Sequence, residues 1–340
     1  MPSMHGATHV RPVAHSPANF MKSMPYHALL HALVSFLRPA LAAASGAQAR
    51  VRLGLISEGT NTWPLYVAQN RGLFDRGGVA VEVTVVGSSV KQQEDLIGGR
   101  YDVGFQQADH VVRGVERGTD LFVFAPHGHA AELTLVGLPD VRNIGALRGR
   151  TIAVDGARTG YALLLRRLLR EHGLGEGDVV FREVGGSQER FDIMKSGSAA
   201  ASMLNAPFDA SLLASGYVPL ARMAEAFPLY PGSVMAARRS WARTHRKELG
   251  AFVRAYEEAY AWLRNPQNAA QALEMLPERL ALAPEAARAA LEQFARRDPP
   301  HLTEDGMRQV IDTVWEAEGY SAPKGEPGKY MDLSIAGEPS

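Results

Sequence analysis

The fold of this chain is constrained most by a regular alternation of short apolar segments, typical of strands, with longer segments of helical spacing. A first series contains VRLGLI (51–56), VAVEVTVV (79–86), YDVGF (101–105) and LFVFA (121–125). A segment with helical spacing follows each of the first three. Alternation of this kind predicts a mostly parallel sheet covered by helices. The chain is therefore predicted to be an α/β protein.

A second, similar series follows, and two segments connect it with the first. TLVGLP (134–139) is predicted to be a crossover, and SVMAARR (233–239) a strand that carries the chain back. From Ser240 onward the pattern is helical, and the last 20 residues are predicted to form a polar tail. The predicted strands of the second series are TIAVDG (151–156), VVFREV (179–184), SAAASML (198–204) and a segment near 217–222.

The first 49 residues differ in charge from the rest, because they hold three basic residues and no acidic one. The apolar segment ALLHALVSFL (28–37) is too short to span a membrane stably. It precedes Ala47-Gln48-Ala49, a small-residue pattern typical of signal-peptide cleavage. We therefore expect residues 1–49 to be a cleaved leader and the protein to be periplasmic. A leader that stays attached is the alternative.

Composition excludes several classes of function. The formal net charge is zero and no basic stripe is present, so nucleic-acid binding is not expected. The absence of cysteine excludes disulfides, thiolate metal sites, cysteine nucleophiles and a lipid-modified N-terminal cysteine. The chain carries no P-loop, GxSxG or HExxH pattern. We expect a soluble, exported protein without a lipid anchor, metal or cofactor.

Functional groups are expected where predicted strands run into helices. In open parallel sheets, ligands bind beyond the carboxyl ends of the strands, and free backbone N–H groups at helix starts hold anions there. Ordinary helix capping explains any single junction, whereas several of like character favour a binding site without covalent chemistry. Four junctions fit this description: Ser57–Trp63, Gly87–Ser89, Gln106–Asp109 and Gly156–Tyr161.

Several side chains at these junctions have two interpretations. Trp63 either presents the flat face of its ring to the ligand, as a ligand wall, or packs in the core. Arg158 is either a fork that grips a carboxylate or sulfonate or a solvated charge, and Asn205 is either a ligand donor or a helix cap. Tyr230 lies in a loop bounded by prolines and either contacts the ligand or forms an exposed turn. His127-Gly128-His129 is interpreted as a crossover loop rather than a metal site.

Four segments, taken in order, resemble the substrate-binding proteins of ABC importers. The resemblance covers about residues 50–265, and the most similar group binds sulfonates, taurine, nitrate and thiamine precursors. The segments are LISEGTNTWPLYVAQNRGLFDRGGVAVEVTVVGSS, DLIGGRYDVGFQQADHVVRG, NIGALRGRTIAVDGARTGYALLLRRLLREHGL and FDIMKSGSAAASMLNAPFDASLLASG.

The resemblance implies the type II periplasmic binding fold: two doubly wound α/β lobes with a ligand cleft between them, joined by two crossing segments. On this basis lobe 1 is assigned residues 50–128 and 226–340, and lobe 2 residues 129–225. The implied partners are a small organic anion, a sulfonate or carboxylate with an aromatic or short aliphatic part, and the membrane permease of an importer. A monomer is expected.

The junctions and the resemblance together define a set of candidate ligand-binding residues. An enzyme on the same bilobal fold, of the thiamine-pyrimidine or menaquinone-pathway type, is the alternative function. The pyrimidine synthase of this group uses a cysteine-rich segment, which this chain lacks. The candidate residues are Thr60, Thr62, Trp63, Ser88, Gln106, Gln107, Arg158, Thr159, Gly160, Asn205 and Tyr230.

Overall fold

The computed structural model describes residues 48–128, 132–280 and 282–337. The predicted leader lies outside these residues, except for Gln48 and Ala49. Ala49 begins the first strand of the fold. Within the described residues, no helix is both long and apolar enough to cross a membrane.

Two five-stranded mixed sheets form the framework of the described chain. In the first, β1 pairs in parallel with β2 and β3, whereas β10 runs antiparallel between β3 and β4. The strand order is β2-β1-β3-β10-β4. The strands are β1 (Ala49–Leu55), β2 (Val79–Val85), β3 (Val103–Gln107), β4 (Leu121–Pro126) and β10 (Ser233–Arg238).

The second sheet repeats this arrangement with the order β7-β6-β8-β5-β9. β6 pairs in parallel with β7 and β8, and β5 runs antiparallel between β8 and β9. The segment predicted to be a crossover is therefore β5 itself, which corrects that prediction. The strands are β5 (Thr134–Gly137), β6 (Thr151–Val154), β7 (Val180–Glu183), β8 (Ala201–Leu204) and β9 (Val218–Arg222).

The two antiparallel strands have one physical origin. Each is the first strand after the chain crosses from the other sheet, so no strand–helix–strand crossover within its own sheet sets it parallel to its neighbours. We call the first sheet with its helices the first lobe and the second sheet with its helices the second lobe. The boundaries assigned at residues 128 and 226 stay predictions.

Helices connect the strands and form most of the chain after β10. The helices Arg239–Thr244 and Arg246–Arg264 follow β10 and are separated by His245. The remaining helices are Trp63–Asn70, Leu73–Arg76, Ser89–Ile97, Ala108–Glu116, Gly160–Glu171, Ser187–Lys195, Phe208–Ala214, Met223–Ala226, Ala269–Met275, Pro277–Leu280, Pro284–Ala295, Glu304–Glu318 and Pro327–Tyr330.

The helix Glu304–Glu318 packs against both lobes. It contacts the helix Ala108–Glu116 of the first lobe and the helix Gly160–Glu171 of the second. Its apolar side chains, among them Val310 and Val314, belong to a core cluster that contains residues of both lobes. The two lobes therefore share a packed face through this helix.

The C-terminal stretch is not the polar tail that the sequence predicts. Tyr330 is fully buried and donates a hydrogen bond of 2.7 Å to Glu116. Met331 forms a parallel bridge with Val123 of β4, and Ile335 is 1% exposed. The three apolar side chains stand among Gly, Pro and charged residues, so the local sequence shows no strand or helix period.

Candidate functional site

A cavity of about 600 Å³ lies between the lobes, at the carboxyl ends of their parallel strands. The first lobe contributes the residues that follow β1 and β2 and the last residues of β3, and the second lobe contributes those at the ends of β6, β7 and β8. Ligand pockets commonly have volumes of about 300–1,000 Å³. The cavity is therefore large enough for a small organic solute.

The two crossing segments close the cavity on one side. His127 and Gly128 come from the first crossing, and Gly232 and Ser233 from the second. Arg297 lines the cavity from the C-terminal helical region. A ligand here has access to groups of both lobes and of the segments that join them.

The lobes touch at several points around the cavity. A Cβ atom built on Gly59 would lie 2.6 Å from Asn205 Nδ2 of the second lobe. A Cβ atom on Gly186 would lie 3.9 Å from the Ser57 Cβ atom of the first lobe. The structure therefore represents a closed arrangement of the lobes, and glycine at position 59 permits the close approach.

Five of the predicted ligand-binding residues line the cavity. Ser88 begins the helix Ser89–Ile97 and accepts a hydrogen bond from the Lys91 amide at 3.3 Å. Asn205 accepts a hydrogen bond from the Ser187 hydroxyl at 2.5 Å. The five are Thr60, Ser88, Gln106, Gln107 and Asn205.

Trp63 and Thr62 do not line the cavity. Trp63 is 1% exposed and packs in the core of the first lobe, with its ring 6.4 Å from that of Phe294. In this structure the Trp63 side chain lies on the core-facing side of its helix and does not line the cavity. The Thr62 hydroxyl is used locally, since it donates to the Gly59 carbonyl at 2.7 Å.

Arg158 also lies away from the cavity. Its side chain is 72% exposed, and its guanidinium forms an ion pair of 2.9 Å with Glu318. The loop after β6 therefore directs this side chain toward the C-terminal helix Glu304–Glu318, not toward a ligand. The Arg158 guanidinium does not line the cavity in this arrangement, and its contact with an anion stays a prediction.

The remaining predicted residues have structural contacts. Thr159 caps the helix Gly160–Glu171 by accepting a hydrogen bond from the Ala162 amide at 3.3 Å. Gly160 and Tyr230 meet on the buried side of this helix start, where a Cβ atom on Gly160 would lie 2.9 Å from the Tyr230 hydroxyl. Tyr161 is the residue of this helix that reaches the cavity.

Asp109, the last residue of the Gln106–Asp109 junction, lies inside the helix Ala108–Glu116. The helix begins at Ala108 after Gln107, and Asp109 lies in its first turn. The Asp109 carboxylate is fully buried and forms an ion pair with Arg113, one turn along the same helix. The side chain therefore faces the shared interior of the lobes rather than the start of its own helix.

His127 is a cavity residue that the strand-and-helix analysis did not select. Its Nδ1 atom lies 2.5 Å from the Ser233 hydroxyl, and its ring is 3.9 Å from the Phe105 ring. Burial lowers the pKa of His127 to about 3, which keeps the imidazole neutral near pH 7. Its position directly after β4 was the available signal, because strand ends line the cleft.

No cluster of ligating side chains in the described ranges could hold a metal ion, and His129 lies outside them.

The sequence pattern of the NMT1-like family matches residues 44–277, well over half of the chain. The chain belongs to the NMT1-like family. This agrees with the resemblance found from the sequence. No curated protein sequence matches this NMT1-like protein.

Solved structures share the fold of this NMT1-like protein. The ligand-binding component of an ABC-type import system from Staphylococcus aureus, with zinc bound, is 15% identical with a TM-score of 0.71 over 86% of this chain and 99% of that chain. The alkanesulfonate-binding protein SsuA from Xanthomonas axonopodis pv. citri, bound to MOPS, is 17% identical with a TM-score of 0.68 over 85% and 99%. A DszB mutant in complex with biphenyl-2-sulfinic acid is 13% identical with a TM-score of 0.61 over 85% and 98%. The predicted bilobal α/β fold is confirmed.

Arg190 organises the second-lobe wall of the NMT1-like cleft. It is 7% exposed and donates hydrogen bonds to the Gly185 carbonyl at 2.6 Å, the Met203 carbonyl at 3.2 Å and the Ser187 hydroxyl at 3.1 Å. Burial lowers the pKa of Arg190 from its ordinary value. The guanidinium therefore joins the loop after β7 to β8, and three of its five N–H donors are bonded within the protein.

Carboxylates also line the NMT1-like cleft. Asp155 accepts a hydrogen bond from the Thr159 hydroxyl at 2.7 Å, and Asp209 accepts one from the Thr134 hydroxyl at 2.9 Å. Glu183 accepts one from the Ala157 amide at 3.0 Å. These bonds hold three negative charges at fixed positions around the cavity.

Proposed function

We propose that this protein is the solute-binding component of an ABC importer. It captures a small polar organic solute between its lobes and presents the closed complex to a membrane permease. The observation that carries the proposal is the cavity between the lobes, whose walls come from both lobes and both crossing segments. A solute that contacts both lobes only in the closed state shifts the protein toward closure, which is the signal a transporter can read.

Binding is favoured over catalysis by the state of His127. The contact between His127 Nδ1 and the Ser233 hydroxyl has the geometry of a base beside a nucleophile. A general base works best when its pKa is near the working pH, and burial lowers the pKa of His127 to about 3. The pair is therefore a poor proton acceptor near neutral pH, and we propose that it forms part of the cavity wall.

The location and partners belong to the same proposal. Similarity to the ligand-binding component of an ABC-type import system from Staphylococcus aureus supports a membrane permease as the partner. The acid-free leader supports the periplasm as the location. We propose that the leader is removed near Ala49 and that the mature protein acts as a monomer. Sequencing the N-terminus of protein exported by a Gram-negative host tests cleavage, and a mature form that retains the leader would contradict it.

The prediction of an anionic ligand has less support than the binding function itself. That prediction depended on Arg158 and on helix starts, and Arg158 lies outside the cavity. A sulfonate or carboxylate therefore stays an alternative ligand.

The proposed function is tested by ligand-dependent closure. A broad solute library is screened by thermal shift, and each hit is measured by calorimetry and by small-angle scattering. A ligand at a hundredfold excess over its Kd should stabilise the fold by about 2.7 kcal/mol. We expect one bound molecule per chain, a smaller radius of gyration and an unaltered ligand after incubation. An unchanged radius at saturation, or conversion of the ligand into product, would overturn the proposal.

A further inference from the structure

We infer that the cleft selects a solute with an uncharged planar group of the amide or urea type, and that Gln106 and Gln107 recognise this group. The inference rests on the proposed function, because it names the ligand class of the same cleft. It differs from the sequence-based expectation of an anion. Three independent features of the cavity carry it.

The first feature is the state of the two glutamines. Gln106 is fully buried, and neither its amide nitrogen nor its amide oxygen has a hydrogen-bond partner among the described residues. The Gln107 side-chain oxygen, in a residue 8% exposed, also lacks one there. A buried polar group without a hydrogen-bond partner destabilises the folded protein. A ligand that supplies the missing partners therefore recovers this free energy.

The unpaired atoms define what the ligand must offer. Gln106 presents one donor and one acceptor side by side, and Gln107 adds a second acceptor. A primary amide or urea carries an N–H donor beside a carbonyl acceptor, so it pairs with both ends of the Gln106 side chain. A carboxylate or sulfonate carries acceptors alone and would leave both glutamine oxygens without a donor.

The second feature is the charge of the lining. Two of the three guanidiniums already face carboxylates, because Arg297 pairs with Glu132 at 2.5 Å and Arg222 lies 3.8 Å from Glu225. Three of the five N–H donors of the third, Arg190, are bonded to protein oxygens. The charged lining residues that the structure describes are Glu132, Asp155, Glu183, Asp209 and Glu225 against Arg190, Arg222 and Arg297.

The balance of these charges disfavours an anion. Five carboxylates face three guanidiniums, so the described lining carries two negative charges in excess. A cleft with an excess of one sign repels solutes of that sign, and low-dielectric walls strengthen the effect. An uncharged solute avoids this repulsion.

The third feature is the use of the helix starts. The Glu189 carboxylate reaches back to the start of the helix Ser187–Lys195, where its oxygen would lie 2.8 Å from a Cβ atom on Gly186. Ser88 already accepts a hydrogen bond from the first turn of the helix Ser89–Ile97. The Glu189 carboxylate and the Ser88 hydroxyl therefore already lie at the positive N-terminal ends of these two helices, where an anionic ligand would otherwise bind.

The aromatic residues of the cavity wall favour a ligand that carries a planar group. Phe105 and His127 both line the cavity, and their ring planes differ by 32° at a centroid distance of 3.9 Å. Aromatic faces favour planar partners in stacked or offset contact. A planar amide attached to a small ring satisfies the glutamines and this wall together.

Matched pairs of solutes that differ only in the charged group test the inference. Benzamide is compared with benzoate, nicotinamide with nicotinate, and propionamide with propionate, each by calorimetry on the full chain. We expect at least one amide to bind about tenfold or more tightly than its carboxylate, a difference of about 1.4 kcal/mol. Equal or tighter binding of the carboxylates, or no binding by any amide at millimolar concentration, would overturn the inference.

Variants of Gln106 assign the effect to this residue. Gln106→Glu keeps the size but removes the amide donor and adds a negative charge, and it should weaken amide binding by about ten- to a hundredfold. Gln106→Met, which keeps the size without charge, should do the same and protects the test against misfolding of the first variant. Gln271→Glu makes the same chemical change at an exposed position outside the cavity and should leave affinity unchanged.

The outcomes separate this inference from the proposed function. Folded Gln106 variants that bind the amides as the natural chain does would overturn the assignment of Gln106. Carboxylates that bind tightly and close the lobes would overturn the inference while leaving the proposed function intact. Failure of the lobes to close with any saturating ligand would remove the proposed function itself.

Discussion

The Asp109 carboxylate of the first lobe lies against Gly160, the residue at which a helix of the second lobe begins. A Cβ atom at Gly160 would overlap this carboxylate and would lie 2.9 Å from the Tyr230 hydroxyl. Arg113 pairs with Asp109 and also donates to the Arg158 carbonyl of the second lobe. The closed arrangement of the lobes therefore depends on the absence of a side chain at Gly160, because the buried Asp109 carboxylate lies against the first residue of the helix there.

Gly160→Ala should accordingly shift the protein toward an open form. The added methyl group has no space between the lobes, so closure would require Asp109 and Tyr230 to move. We expect a larger radius of gyration with saturating ligand and an affinity reduced by about tenfold or more, measured by scattering and calorimetry. Gly328→Ala is the matched control, because a Cβ atom there has no neighbour within 4 Å. Equal behaviour of the two variants would contradict the role of this contact.

Arg158→Ala should leave ligand affinity unchanged within about twofold. The Arg158 guanidinium is largely exposed, and its partner Glu318 retains Arg113 at 3.4 Å and Arg117 at 3.6 Å. Loss of an exposed ion pair typically costs about 0–1 kcal/mol of folding free energy. Affinity and melting temperature of this variant are measured together. A large loss of affinity would restore the anion grip that the sequence suggested.

The sequence predicted the framework of the fold well, because its strands are short apolar segments bounded by polar residues and glycine. Nine of the ten strands were predicted as strands, and β5 was the exception. Its segment is as apolar as its neighbours. Its role in the sheet depends on how the chain passes between the lobes, which local periodicity does not encode.

The sequence predicted where the candidate site lies, but not which side chains point into it. Strand ends locate Ser88, Gln106 and Asn205 at the cavity, because parallel strands bring their carboxyl ends to one edge. The direction of a side chain depends on distant parts of the chain. Arg158 turns toward Glu318, which lies 160 residues further along the sequence. No local pattern indicates such a partner.

Trp63→Ala should act on stability rather than on ligand choice. Removal of a buried tryptophan typically costs about 3–5 kcal/mol of unfolding free energy, because a cavity replaces the side chain. Trp63 is 1% exposed within the first-lobe core. Trp241→Ala, at a partly buried position, is the matched control and should cost less. Denaturant titration measures both. A selective loss of aromatic ligands with unchanged stability would instead make Trp63 a ligand wall.

The stability of the protein should fall in acid through His127. Burial lowers the pKa of His127 from 6.5 to about 3 in the folded protein, and it also lowers the pKa of His110. Between these pH values the unfolded chain binds a proton that the folded protein does not, so stability is full above about pH 6.5 and is lost toward pH 3. At about pH 5 the loss from His127 should be about 2 kcal/mol. His127→Gln should flatten this part of the dependence, measured by denaturant titration across the pH range. His301→Gln, at an exposed position, should leave it unchanged. The same acid dependence in all three proteins would show that His127 is not the responsible group.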